Sequence, residues 1–182
     1  MQALELLLNR SSFNQLTAPA PSQDALDNIL KAGMRAPDHG SLTPFRFIVF
    51  QNEALNDLGE IFAEAAELDD APCEKIEKAK NMPLRAPLII AVIANVTEDH
   101  KIPVSEQIIT AGCAVHAMQM AAVAQGFQGI WRTGDFAYHQ HVRKQFKLKG
   151  EDQIVGYLYI GTPSKDVPIK PAKNLNEHVE YW

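Results

Sequence analysis

The run Leu88-Ile89-Ile90-Ala91-Val92-Ile93-Ala94 constrains the fold most. It lies within a segment from Pro87 to Asn95 and contains no polar residue. A strand with one wet face alternates polar and apolar positions, so an unbroken apolar run reads as a strand buried on both faces. Such a strand needs a covering layer on each side, and helical segments are available for both. Ala3 to Leu8 reads as a short helix with leucines on most faces. Ser22 is placed to cap a helix running to about Met34, with Leu26, Ile29, Leu30 and Gly33 at helical spacing. Glu53 to Leu68 and Pro72 to about Met82 read as helices around the acidic break Asp69-Asp70-Ala71. Pro103 to Gln125 is the longest helix, stopped by Gly126, and His139 to Phe146 is a further one. Phe45 to Gln51, Gln128 to Arg132 and Ile154 to Ile160 complete the strands. The expected class is α+β, a mixed sheet flanked by helices.

Composition bounds the function. The chain has 182 residues, 46% apolar and 21% charged, which suits one domain over 1–182 with a sizeable core and no linker or repeat. A net charge of −5 argues against non-specific binding to nucleic acid or anionic lipid. The apolar run Leu88 to Ala94 is far short of the roughly 20 residues a membrane helix needs. The N-terminal run carries Glu5 and lacks a small-residue cleavage site, unlike a signal peptide. Cys73 and Cys113 have no paired spacing and read as free thiols in a reducing compartment. A cytoplasmic protein is expected.

The segment Arg35-Ala-Pro-Asp-His-Gly-Ser-Leu-Thr-Pro-Phe-Arg-Phe47 is the densest in chemistry. Pro37 ends the preceding helix. Pro44 fixes the start of the next strand and biases Thr43 toward an extended conformation. Between them lie donors from His39, Ser41, Thr43 and the backbone around Gly40, with Arg35 just ahead. A loop held this way suits a polar, anionic or heteroaromatic ligand, and it also suits an ordinary helix-to-strand connection. Arg10-Ser11-Ser12 follows the first helix and reads either as an anion-binding cluster or as an N-cap cluster. Gly126-Phe-Gln-Gly129 follows a helix rather than a strand and lacks a third glycine, so it is not a dinucleotide fingerprint. His139 and His141 stand two apart, facing different ways on a helix, and no metal is expected. The long helix carries Ala111, Gly112, Ala114, Ala117, Ala121, Ala122 and Ala124, a surface for close packing against a two-fold mate or against the sheet.

Taken in order, Asn9-Arg10-Ser11-Ser12, the Arg35–Phe47 loop, Ala111 to Gly126 and Gly126-Phe-Gln-Gly-Ile-Trp-Arg-Thr-Gly134 resemble the nitroreductase family of FMN-dependent NAD(P)H oxidoreductases. The resemblance spans Ala3 to about Pro163. It implies a nitroreductase-like fold with a mainly antiparallel sheet, in an intertwined homodimer. It further implies FMN at the subunit interface, NAD(P)H as electron donor, and a nitroaromatic or quinone-like small molecule as acceptor in a ping-pong reaction. Related family chemistry includes oxidation or dehalogenation of a specific metabolite, and a rival class is a non-catalytic flavin carrier. By position, Arg10, Ser11 and Ser12 would hold the FMN phosphate and ribityl chain. Lys165, just past the last strand, reads either as a second phosphate ligand or as a solvated side chain. Arg35 and His39 would approach the flavin or its phosphate tail, and Trp131, Arg132 and Thr133 would lie along the flavin. Ala121, Ala122, Val123, Ala124, Gln125 and Gly126 would meet the NAD(P) cofactor. No protein acid, base or nucleophile is implied, since the chemistry belongs to the flavin ring. The chain departs from the family at Ser11, Asn14 and Gln15, neutral where many members are basic. The tail, about 161–182, ends in Val-Glu-Tyr181-Trp182 and would dock on the partner subunit.

Overall fold

The computed structural model describes residues 2–168 and 170–182; Met1 and Ile169 lie outside it. The central strand is β3, Leu88–Ala94, buried at every position. It pairs antiparallel with β2, Phe45–Gln51, on one edge and with β5, Gln153–Pro163, on the other. β4, Gln128–Arg132, pairs with β5 on the edge away from β3, and the two-residue β1, Leu16–Thr17, pairs with the end of β5. Every pairing among the described residues is antiparallel.

The period of two along β3 divides the core. Ile89, Ala91 and Ile93 face a cluster built on α3, Glu53–Leu68, and α6, Gln140–Gln145. Leu88, Ile90, Val92 and Ala94 face one built on α2, Gln23–Gly33, and α5, Val104–Ala124. The helix α4, Cys73–Lys80, lies against α3. The run is apolar throughout because both faces are covered, as the sequence requires. Ser22 caps α2, its Oγ accepting from the Ala25 N–H at 3.3 Å. Gly33 lets α2 approach α5, since a Cβ there would lie 2.8 Å from Met118 Cγ.

By length and composition α5 could cross a membrane, yet half of its most apolar window is buried inside this fold. Its small residues serve two surfaces. Ala111, Ala114 and Ala122 are buried in the α2-side core, whereas Gly112, Ala117 and Ala121 are only half-buried and Ala124 is exposed. Other apolar side chains stand in solvent. The first helix, α1, Ala3–Asn9, buries nothing, and Leu4, Leu7 and Leu8 are exposed, as are Ile109, Tyr181 and Trp182.

Three local features depart from the sequence reading. β5 runs three residues beyond Ile160 because β1 pairs with it, Thr17 opposite Thr162. Two residues are too few to show a period, which is why β1 is invisible in the sequence. Thr43 is not extended but sits at φ 48°. The Asp38 carboxylate overrides the bias from Pro44 by accepting from the Thr43 N–H at 2.7 Å and the Leu42 N–H at 3.2 Å.

Candidate functional site

His39 lines a separate cavity with Asp38, Glu106 and Cys113, while β4 is the strand on which most of the candidate residues converge. Its inner edge pairs with β5, and its outer edge meets Arg10–Phe13, where the Phe13 N–H donates to the Gly129 carbonyl at 3.1 Å. Gln119 Nε2 donates to the same carbonyl at 2.8 Å from buried α5. Strand alternation turns the N–H and C=O of Trp131 to that outer edge as well. Three cavities border β4 in turn.

The first, of about 150 Å³, is lined by Asn9, Arg10, Ser11, Val123, Gln128 and neighbours from α1 and the tail, including Val167 and Pro168. Ser11 is buried, Arg10 half-buried and Ser12 exposed, with Arg10 Nη1 reaching Ser12 Oγ at 3.5 Å. Arg10 forms no ion pair among the described residues. Gln128 Oε1 is buried here with no hydrogen-bond partner. A buried acceptor left open costs about 1–3 kcal/mol, so it marks a place where a donor belongs. Lys165 is exposed in the segment leading from β5 to Val167.

The second, of about 720 Å³, is an apolar groove between α2 and α5. Arg35, Pro37, Gly112, Cys113, His116 and Trp131 are among its walls. Trp131 crosses from β4 to β5, where its Nε1–H donates to the Val155 carbonyl at 3.1 Å. Val155 is the extra residue of a β-bulge between the Val92 and Ile93 pairings. The neighbouring loop is tightly held. Gly40, Ser41 and Thr43 have φ of 74°, 55° and 48°. A β-branched residue in that region is strained, and Asp38 offsets the strain through its two backbone hydrogen bonds. His39 Nδ1 lies 2.6 Å from Glu106 Oε2 on the first turn of α5. A carboxylate only accepts, so Nδ1 carries the hydrogen and Nε2 is the nitrogen left for a ligand.

The third, of about 370 Å³, opens on the α3 face of the sheet. Arg132, Thr133, Gly134 and Asp135 enter it from β4, opposite Arg85, Tyr157 and Tyr159. Trp131 and Arg132 thus point to opposite faces of the sheet. Arg132 stands over the Tyr159 ring, its Cζ 5.9 Å from the centroid. Burial raises the pKa of both Tyr157 and Tyr159, so both phenols are neutral donors at ordinary pH.

The segment 121–126 is divided. Ala122 and Val123 are core, while Gln125 ties α5 to α2 through Asn28 Nδ2 at 3.2 Å and the Ala25 carbonyl at 3.2 Å. Only Ala124, Gln125 and Gly126 are exposed. The histidines of α6 bind separate carboxylates, His139 to Asp69 at 3.2 Å and His141 to Glu64 at 2.8 Å. Sequence reasoning missed Asp38, Glu106, Gln128 and Arg85. Only Asp38 had a local signal, an Asp followed by a glycine turn.

The pattern of the Nitroreductase family matches residues 7–162. The chain belongs to this family. It is an oxidoreductase. It is 51% identical over 176 residues to a protein of Escherichia coli (strain K12) named "Putative NAD(P)H nitroreductase YdjA", covering 97% of this chain and 94% of that one. It is 42% identical over 163 residues to "Putative NAD(P)H nitroreductase" of Haemophilus influenzae, covering 89% of each. Among solved structures, a nitroreductase-like family protein from Bacillus cereus superposes with a TM-score of 0.85 at 21% identity, covering 100% of this chain and 96% of the other. An FMN- and NADPH-dependent nitroreductase, NfnB, gives 0.75 at 17% identity over 100% and 99%. These superpositions match the α+β fold and its antiparallel sheet.

Proposed function

We propose that this oxidoreductase binds FMN along the outer edge of β4 and passes electrons from NAD(P)H to a nitroaromatic or quinone-like acceptor, working as a homodimer. The observation that carries the reading is the arrangement at the Gln128 end of β4. Arg10, which forms no ion pair among the described residues, Ser11 and the open acceptor Gln128 Oε1 line one cavity together with Glu5, and Ser12 stands beside Arg10. A phosphate needs a guanidinium and hydroxyl or backbone donors, and a ribityl chain offers hydroxyl donors to an open acceptor. The names of the 51% and 42% identical relatives support NAD(P)H as the donor.

Bound FMN would supply hydride and electron transfer at its ring. The chain's own part is to bind, orient and exclude water. Arg10, Ser11 and Ser12 hold the phosphate. The Trp131 backbone and Thr133 align the ring edge. Arg35 and His39, on the α2 side, complete the ring slot from the second subunit. The exposed leucines of α1, the half-buried face of α5 and the aromatic tail are the surfaces a partner would cover. The chain forms one domain, and the tail, about 161–182, docks on that partner. A single slot serves donor and acceptor in turn, which is the ping-pong order. Of the 121–126 segment, Ala124, Gln125 and Gly126 offer surface to the dinucleotide.

The absorption spectrum of the purified protein tests the cofactor, and calorimetry with added FMN tests it again. Micromolar or tighter binding is expected, and its absence ends the reading. Anaerobic NADPH should then bleach the yellow colour rapidly. Bound flavin that does not bleach would make the protein a carrier.

A further inference from the structure

The strained loop ahead of β2 is fastened to α5 at several points, and His39 stands at its centre. Thr110 Oγ1 donates to the Pro37 carbonyl at 3.0 Å. Gln107, almost fully buried, binds both the N–H and the carbonyl of Thr97 and the carbonyl of Ile102. It thereby holds Ile102 against Gly40, where a Cβ would strike Ile102 Cδ1. Asp38 holds the Leu42 and Thr43 amides from the other side. A loop held in strain by this many partners presents its side chains in one fixed geometry.

His39 lines a cavity of about 220 Å³ with Asp38, Glu106, Thr110 and Cys113. Most polar groups there are already engaged. The Asp38 carboxylate accepts from two amides, the Thr110 hydroxyl donates to Pro37, and the Glu106 carboxylate accepts from His39 Nδ1 at 2.6 Å. Among the described residues of this cavity, His39 Nε2 and the Cys113 thiol remain. With Nδ1–H committed to a carboxylate, Nε2 is the ring nitrogen left to exchange a proton with a ligand. Pro37, Ile109 and Cys113 also wall the apolar groove between α2 and α5. The imidazole therefore adjoins the groove that Trp131 walls, where Arg35 and His116 are the other ionisable groups beside Cys113. His39 is exposed, so water can reach the ring.

The proposed reaction needs one proton at one step only. Reduction of the flavin takes a hydride from NAD(P)H and no proton. A quinone then takes a hydride from the reduced flavin and one proton. A nitro group takes the same hydride and proton, becoming a nitroso group and water. We infer that His39, positioned by Glu106, supplies that proton. As the hydride passes over, the flavin is oxidised, the acceptor is reduced, and an electron pair moves onto an acceptor oxygen. The Nε2–H bond breaks, an O–H bond forms at that oxygen, and the neutral imidazole takes its next proton from water. His39 is the catalytic residue and Glu106 the positioning residue. The inference rests on the flavin reading above and assigns Glu106, which that reading does not use, to the acceptor step.

Stopped flow on the flavin-loaded full chain separates the two halves of the reaction for the wild type, H39Q, E106L and the remote control E74Q on α4. Both H39Q and E106L should bleach with anaerobic NADPH at the wild-type rate. Reoxidation by para-benzoquinone should slow about a hundredfold or more in H39Q. In E106L it should slow about tenfold or more. Ferricyanide takes electrons without a proton, so reoxidation by it should keep its rate in both. E74Q, an exposed carboxylate lost, should match the wild type throughout. Nitrogen NMR of the labelled imidazole rings gives a readout without turnover, with H39Q identifying the His39 signals. Neutral His39 should be the Nδ1–H tautomer in the wild type and a mixture in E106L. Unchanged quinone reoxidation in H39Q overturns the proton role. Equal slowing with ferricyanide, or of the bleaching step, marks a merely structural effect and overturns it too. An unchanged tautomer in E106L removes Glu106 as the positioning residue. Wild-type protein that binds no FMN, or is not bleached, overturns the flavin reading itself.

Discussion

The Trp131 indole occupies the space that a side chain at Gly156 would need, its Nε1 and Cδ1 lying where the Cβ would stand. Gly156 has φ 155° and follows the bulge residue Val155, whose carbonyl holds the indole N–H. The bulge, the glycine and the tryptophan form one device. It locks the end of β4 to β5 and sets Trp131 as a wall of the α2–α5 groove.

Gly156→Ala should therefore force the indole out. The expected loss is about 1–3 kcal/mol from overpacking, read by denaturant unfolding. In a W182F background the emission of Trp131 should shift to the red as the ring enters water. Unchanged stability together with unchanged emission would show that the ring does not depend on this contact.

Asp38→Ala should loosen the loop ahead of β2. Two hydrogen bonds to a carboxylate are lost, and the strained Thr43 has nothing else to hold its N–H. A loss of about 1–3 kcal/mol is expected, with faster hydrogen exchange at the Leu42 and Thr43 amides. Asp38→Asn keeps the shape and one acceptor, so it should fall between. If exchange at those amides does not change, Asp38 is not what holds the loop.

Arg10→Ala should weaken FMN about ten- to a hundredfold and riboflavin, which lacks the phosphate, much less. Calorimetric titration with both ligands gives the contrast. Equal weakening would remove Arg10 from the phosphate.

The two surfaces of α5 should separate by mutation. Ala114 is fully buried beside the sheet, so Ala114→Leu should destabilise the fold itself by about 1–3 kcal/mol. Ala117 lines the groove, so Ala117→Leu should spare the fold and impair dimerisation. Sedimentation at low micromolar concentration reads the second effect. Dilution of the wild type should release flavin and separate subunits together, because each is linked to the other. A monomer with flavin still tightly bound would sink the interface site.

Much of this fold is written in neighbouring residues. The apolar run Leu88–Ala94 dictated a strand covered on both faces, and the helix periods located α2, α3 and α5 within one or two residues. Local order also marked Arg10–Ser12 and Arg35–Thr43 as segments rich in donors. The tertiary structure alone decided which donors meet. Arg85 and Arg132 are brought to one cavity because β3 and β4 lie on opposite edges of β5. His39 finds Glu106 only because the loop folds over the first turn of α5. Gln128 is an open acceptor only because β4 buries its amide beside Arg10. Periodicity records which way each residue faces along its own element. It carries no record of which distant element will stand opposite, and the long-range packing of the sheet settles that.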